Sequence, residues 1–115
     1  MTTLTKEQVV LMHSAIIMRT GGLEGIRDDG LLYSSINSYM QSFGGMDLYP
    51  TIQSKAAQIG FSLIKNHPFN DGNKRIGVLV MMSILELNEI TIDASDKELI
   101  TLGMSIAQGK NQPKI

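Results

Sequence analysis

Hydrophobic residues recur every three or four positions along much of this chain, which is the spacing of one face of an α-helix. The first stretch of this kind has apolar residues at Val9, Leu11, Met12, Ala15 and Ile16. Just before it, Thr5 and Gln8 have the spacing of a capping box, in which two side chains cap the start of a helix. The pattern therefore predicts a helix over residues 6–20.

Glycine and proline divide the rest of the chain into segments. Gly21 and Gly22 end the first helix, and a glycine-framed loop follows. Pro68 disfavours helical backbone at His67, so the helix before it should end there. The pattern predicts a second helix over 31–42 and a loop or short irregular hairpin over 43–50. It also predicts a third helix, capped by Thr51 and running to Asn66, and a fourth over 73–88.

The middle of the fourth helix, residues 76–82, is apolar on every side, which is typical of a central helix surrounded by others. After it, Thr91–Asp93 predicts a brief extended piece, and Ser95 with Glu98 predicts a capped helix to about Ala107. We expect residues 1–108 to form one all-α domain, a compact helical bundle. Residues 109–115 should be a frayed tail.

Composition narrows the class of protein. The chain has 115 residues, 43% of them hydrophobic and 18% charged, as in ordinary globular domains. Its net charge of -1 gives no reason to expect nucleic-acid or membrane binding. The lack of cysteine excludes a disulfide scaffold and a thiolate zinc site. We find neither a secretory signal nor an apolar run long enough to span a bilayer, so we expect a cytoplasmic protein.

The nine residues from His67 to Arg75 read HPFNDGNKR and join the third and fourth predicted helices. The first turn of the fourth helix has backbone N–H groups without helical partners. Lys74 and Arg75 add positive charge at the end of a helix where cations normally cost stability. Gly72 allows a ligand to approach the backbone closely. Together these features are typical of an anion-binding helix start.

Three further residues of this segment suggest specific roles. His67 is displayed by the proline turn, and histidine can accept a hydroxyl proton near neutral pH. Asp71 could hold Mg²⁺ through one carboxylate, with phosphate oxygens and water completing its shell. Phe69 points inward and should anchor the loop to the core. On the residues alone, a structural turn explains the segment as well as phosphate binding does.

The segment resembles the Fic signature, His-x-Phe-x-Asp/Glu-Gly/Ala-Asn-x-Arg, and every specified position matches. Residues 21–32 and 85–88 resemble the death-on-curing branch of the Fic/Doc family in particular. The resemblance implies a small all-α Fic fold and, in that branch, the toxin of a toxin–antitoxin pair. It also implies that His67 is the catalytic base, that Asp71 binds Mg²⁺, and that Gly72, Asn73 and Arg75 hold the phosphates of ATP.

Two departures from the AMP-transferring members bear on the reaction. Lys74 replaces a small residue, and Val78 stands where a second arginine would clamp the terminal phosphates. Both favour γ-phosphoryl transfer, which the death-on-curing branch implies, with the elongation factor that delivers aminoacyl-tRNA as its target. The alternatives are protein adenylyl transfer (AMPylation) by the same residues and a non-catalytic protein that binds a nucleotide or a partner.

Several residues outside the motif can be interpreted as structural or as functional. Lys65 could reach the same phosphates, although an exposed lysine is the simpler interpretation. Arg27 and Asp28 favour a salt bridge within a turn. His13, isolated in the first helix, favours a surface or partly packed histidine over a metal ligand. Residues 43–50 could pair with a target peptide.

Because no complete inhibitory helix motif is evident, the resemblance implies a separate antitoxin whose disordered segment folds on the toxin.

Overall fold

The computed structural model describes residues 1–91, most of which are helical. The four helices are α1 (Lys6–Thr20), α2 (Asp29–Ile36), α3 (Ile52–Asn66) and α4 (Asn73–Leu87). A 3₁₀ turn (Ser38–Met40) and an antiparallel hairpin of β1 (Ser42–Phe43) and β2 (Met46–Asp47) separate α2 from α3. The predicted all-α fold is confirmed. The predicted extended piece ending at Asp93, the helix from Ser95, the domain end at 108 and the tail over 109–115 lie outside the described residues.

Helices α1 and α3 begin where their capping residues predict. The Thr5 hydroxyl accepts the N–H of Gln8 at 3.1 Å, and the Gln8 side chain accepts the N–H of Thr5 at 2.8 Å. Thr51 and Ser54 exchange the equivalent pair of bonds at the start of α3, each at 3.0 Å. These bonds satisfy N–H groups that the helix itself cannot, so local sequence fixes both starts.

The second helix differs from the prediction of 31–42, because it covers Asp29–Ile36. It starts earlier because the Asp28 carboxylate accepts the N–H of Leu31 at 3.0 Å and acts as the N-cap. It ends earlier because Asn37 leaves the helical conformation and its side-chain amide donates to the Tyr33 carbonyl at 2.9 Å. The hairpin predicted within 43–50 is present, and its turn residues Gly44 and Gly45 have φ of 59° and 81°.

Helix α4 packs against both α3 and α1, which makes it central to the bundle. Helices α3 and α4 approach each other closely at Gly60 and Gly77. A Cβ atom added at Gly77 would lie 2.8 Å from the Gly60 carbonyl oxygen and 2.6 Å from Ile64 Cγ1. Within residues 1–91, Leu79 and Leu87 on α4 keep 36% and 48% of their surface exposed, so its apolar surface is not buried on every side. No helix in this part of the chain is both long and apolar enough to cross a membrane.

Candidate functional site

The loop between α3 and α4 starts at His67, where the backbone leaves the helix. His67 has φ of 48° and ψ of 56°, in the left-handed region, and its side chain is exposed. Few non-glycine residues adopt this conformation, although histidine does so more often than most. Pro68, which disfavours right-handed helix at the preceding residue, is buried. The loop therefore presents the His67 imidazole to solvent on a fixed backbone.

Phe69 and Asn73 hold the loop against the core. Phe69 is 1% exposed and belongs to the hydrophobic core. The buried Asn73 amide donates to the Phe69 carbonyl and accepts the Phe69 N–H, each at 3.0 Å. Both ends of the Asn73 side chain are thus engaged by one residue. A phosphate contact at Asn73 would therefore come from its backbone N–H.

The Asp71 carboxylate is held by two backbone donors and remains on the surface. One oxygen accepts the N–H of Leu23 at 3.1 Å, and the other accepts the N–H of Gly72 at 2.8 Å. These bonds lower the pKa of Asp71 below its ordinary value, and the nearby positive charge of Arg75 adds to the effect. Asp71 is therefore ionised at neutral pH, with each oxygen able to accept a further ligand.

The N-terminus of α4 lacks the side-chain cap that the three other described helices have. Its N-cap is Gly72, with φ of 74° and no side-chain hydrogen bond to the first turn. Lys74 and Arg75 are both exposed in that turn, which has no acidic residue. The N–H groups of the first turn and two cationic side chains are therefore available to one anion.

Arg75 reaches from this turn to the end of α1. Its guanidinium donates to the Thr20 hydroxyl at 2.5 Å, and that hydroxyl donates to the Ile16 carbonyl at 2.7 Å. The side chain lines an open cleft of about 430 Å³, together with Ile16, Arg19, Thr20 and Leu79. Arg19 and Arg75 therefore line the same cleft.

The glycine-rich segment 22–28 runs antiparallel to the loop, with Ile26 bridging to Phe69. The Arg27 guanidinium donates to the carbonyls of Asn66 and His67, at 2.8 and 2.6 Å. Arg27 therefore caps the end of α3 and fixes the backbone of His67. The expected salt bridge between Arg27 and Asp28 is wrong, since Asp28 caps α2 while Arg27 binds carbonyls.

His13 is the residue whose place the sequence predicts least well. It is 2% exposed and lies under the loop, contrary to the expectation of a surface or partly packed histidine. Its Nε2 donates to the Asp71 carbonyl at 2.7 Å, and its ring stacks on Phe69. The sequence contains one indication that His13 is buried. His13 lies four residues from both Val9 and Ile17, on the buried face of α1.

Of the predicted site residues, His67, Asp71, Lys74 and Arg75 are exposed, whereas Phe69 and Asn73 are buried. Asp71, Lys74 and Arg75 lie within the five-residue junction between the loop and α4, and His67 lies at the other end of the loop. Lys65 is exposed in the last turn of α3, and no hydrogen bond to the described residues joins its side chain to the loop. A contact between Lys65 and phosphate stays a prediction.

The chain is similar to known proteins over most of its length. The sequence profile of the Fic/DOC family matches residues 3–85, which include α1, the loop and most of α4. The chain is 35% identical over 74 residues to a protein named Toxin Doc from Mycolicibacterium smegmatis, covering 64% of this chain and 57% of that protein. It is 26% identical over 107 residues to a protein named Protein kinase doc from Escherichia phage P1, covering 93% of this chain and 83% of that protein.

Proposed function

Because the chain belongs to the Fic/DOC family, we propose that it is the toxin of a toxin–antitoxin pair and phosphorylates a hydroxyl group of a protein, using Mg–ATP. One observation carries the proposal. An ionised carboxylate, Asp71, is fixed by backbone N–H groups beside an uncapped helix start that carries Lys74 and Arg75. This arrangement suits a metal-bound polyphosphate better than it suits a structural turn.

In the proposed reaction, the target hydroxyl oxygen bonds to the γ-phosphorus of ATP. The bond from that phosphorus to its bridging oxygen breaks, and ADP leaves. The His67 imidazole accepts the hydroxyl proton as the new bond forms. Phosphoryl transfer depends mainly on positioning and charge, so the protein needs no covalent nucleophile. Arg27, which binds the carbonyl of His67 at 2.6 Å, keeps the base in place.

The phosphates would lie against the first turn of α4. The backbone N–H groups of Asn73, Lys74 and Arg75 point out of the helix end and have no helical acceptors. Gly72 has φ of 74°, a conformation that favours glycine, and a Cβ atom there would lie 3.3 Å from Ile17 Cδ1. The Lys74 and Arg75 side chains supply full positive charges at the position where the helix dipole already favours an anion.

Asp71 is the residue that would bind magnesium. Among residues 1–91 no cluster of three or more potential protein ligands exists, so this part of the chain does not form an all-protein metal cage. Mg²⁺ commonly uses one or two carboxylates together with substrate phosphates, and Asp71 would supply one such carboxylate. When bound, the ion would neutralise charge on the phosphate groups.

Gly22 provides a test of Asp71 that does not alter Asp71 itself. A Cβ atom at Gly22 would lie 2.6 Å from Asp71 Oδ2, whereas one at Gly21 meets no atom within 4 Å. Both glycines have positive φ, 123° and 80°, so alanine strains the backbone at either position. We expect Gly22→Ala to weaken Mg-dependent ATP binding about tenfold or more relative to Gly21→Ala, measured by titration calorimetry. Equal affinities in the two variants would contradict the role of Asp71.

Phosphate rather than AMP transfer is favoured by Lys74 and Val78. Lys74 is exposed in the first turn of α4, where a small residue would leave more room for phosphates. Val78 provides no guanidinium one turn later. The related phage P1 protein carries the name Protein kinase doc, which agrees with this direction.

Labelled ATP separates the candidate reactions. The purified chain is incubated with Mg²⁺, a bacterial lysate or the elongation factor that delivers aminoacyl-tRNA, and ATP labelled at either the α or the γ phosphate. Transfer of only the γ label supports phosphorylation. Transfer of the α label would show adenylyl transfer instead. ATP binding without label on any protein would indicate a non-catalytic nucleotide-binding protein. The His67→Ala variant gives the background for each label.

We also propose that a separate antitoxin neutralises this chain, as the name Toxin Doc of the Mycolicibacterium smegmatis relative suggests. A disordered segment that folds on the toxin suits this role, because such a segment can wrap a large surface of its partner. The test is coexpression with the protein of the neighbouring gene. Rescue of growth together with copurification supports the proposal, and growth arrest despite equal expression opposes it.

A further inference from the structure

His13 is a buried polar residue on α1 that the proposed reaction does not use. It is 2% exposed and lies in the middle of the buried face of the helix, between Val9 and Ile17. In sequence it is 58 residues away from Asp71, yet the fold brings the two residues into direct contact. Such a residue can act on the site only through the loop that it touches.

The imidazole of His13 touches three positions of the loop. Its Nε2 donates to the Asp71 carbonyl at 2.7 Å. Its ring stacks on Phe69 with centroids 3.8 Å apart and an interplanar angle of 7°. It also lies beneath Gly72, where an added Cβ atom would be 3.6 Å from Nε2. The stacking on Phe69 sets the distance between the loop and α1. The hydrogen bond sets the orientation of the peptide group between Asp71 and Gly72.

The hydrogen bond to the Asp71 carbonyl requires a donor at position 13. A carbonyl oxygen can only accept, so Nε2 of His13 must carry the hydrogen. A phenylalanine at position 13 could preserve the stacking but could not donate. The two effects of the imidazole, packing and orientation, can therefore be separated by substitution.

We propose that His13 is a positioning residue that orients the magnesium-binding carboxylate of Asp71 through its backbone. His13 holds the carbonyl of Asp71, while the N–H groups of Leu23 and Gly72 hold its carboxylate. Both ends of the residue are thereby fixed before any ligand binds. Without the donor at position 13, the peptide after Asp71 is free to turn and the carboxylate loses its direction. This inference rests on the proposed function, because that function makes Asp71 the metal ligand.

The first measurement uses the metal-free protein. We expect His13→Phe to speed hydrogen exchange at the N–H groups of Leu23 and Gly72 about tenfold, since both donate to the Asp71 carboxylate. His13→Gln, which keeps a donor at a comparable reach, should restore slower exchange in part. Val9→Ala, on the same buried face, is the control for a general loss of packing and should leave both N–H groups as in the native protein. Unchanged exchange in His13→Phe would overturn the inference.

The second measurement is the Mg²⁺ concentration that half-saturates binding of a non-hydrolysable ATP analogue. Residues that orient a metal ligand typically change affinity by about 10–100-fold, and we expect a rise of that size in His13→Phe. Binding of the analogue in EDTA should be the same as in the native protein. A rise of equal size in Val9→Ala would show a general structural effect and overturn the inference. Native protein that shows no Mg-dependent binding would overturn the proposed function instead, whatever the exchange rates are.

Discussion

Replacing His67 with alanine is expected to slow group transfer by about 10²–10⁴-fold, the usual contribution of one general base. The fold should be unaffected because the side chain is exposed and Arg27 holds the backbone through the carbonyls of Asn66 and His67. The measurement is a single-turnover rate of label transfer, with thermal unfolding as the check on folding.

His67→Asn is the matched control for the backbone. Asparagine adopts the left-handed conformation of position 67 more readily than alanine, yet it cannot serve as a base. We expect His67→Asn to lose as much activity as His67→Ala while unfolding at or above the temperature of the alanine variant. Full activity in either variant would show that another group accepts the proton.

Phe69→Ala should cost about 3–5 kcal/mol of folding free energy, the typical loss for a fully buried phenylalanine. The ring is 1% exposed, stacks on His13 and belongs to the hydrophobic core, so its removal leaves a cavity below the loop. Chemical denaturation measures the loss. Activity should fall as well, because His67 and Asp71 lie two residues away on either side.

Phe43→Ala is the control for the same chemical change at the surface. Phe43 is 81% exposed on β1 of the hairpin, and we expect its replacement to change the folding free energy by no more than about 0.5 kcal/mol. Similar losses in the two variants would contradict the anchoring role of Phe69. Phe69→Leu, which refills most of the cavity, should fall between them.

Local sequence predicted the parts of the fold that local bonds determine. Helix α1 starts where Thr5 and Gln8 cap it, and helix α3 starts where Thr51 and Ser54 cap it. The two residues of each pair are three positions apart in sequence. The start of α2 differs from the prediction because the Leu31 N–H donates to the Asp28 carboxylate, and Asp28 fits a turn equally well by sequence. The polar N-cap residue therefore decides where each of α1, α2 and α3 starts.

The residues of the motif could be named from sequence, but those that support them could not. The roles of His13 and Arg27 depend on contacts with residues 58 and 40 positions away, which periodicity does not reveal. The Asn73 amide likewise turns to the Phe69 backbone, a choice that motif spacing alone leaves open. Short-range patterns describe a helix face, whereas a partner across the bundle requires the fold.

The antiparallel contact between segment 22–28 and the loop also bears on synthesis of the chain. The ribosome makes His13, Leu23 and Arg27 well before the loop they hold, so these supports are present when His67 and Asp71 emerge. The contact closes only after α3 has turned back along the chain, and closing so long a segment costs entropy. The nascent chain therefore cannot form the contacts of His13, Leu23 and Arg27 with this loop until residues 66–71 have left the ribosome.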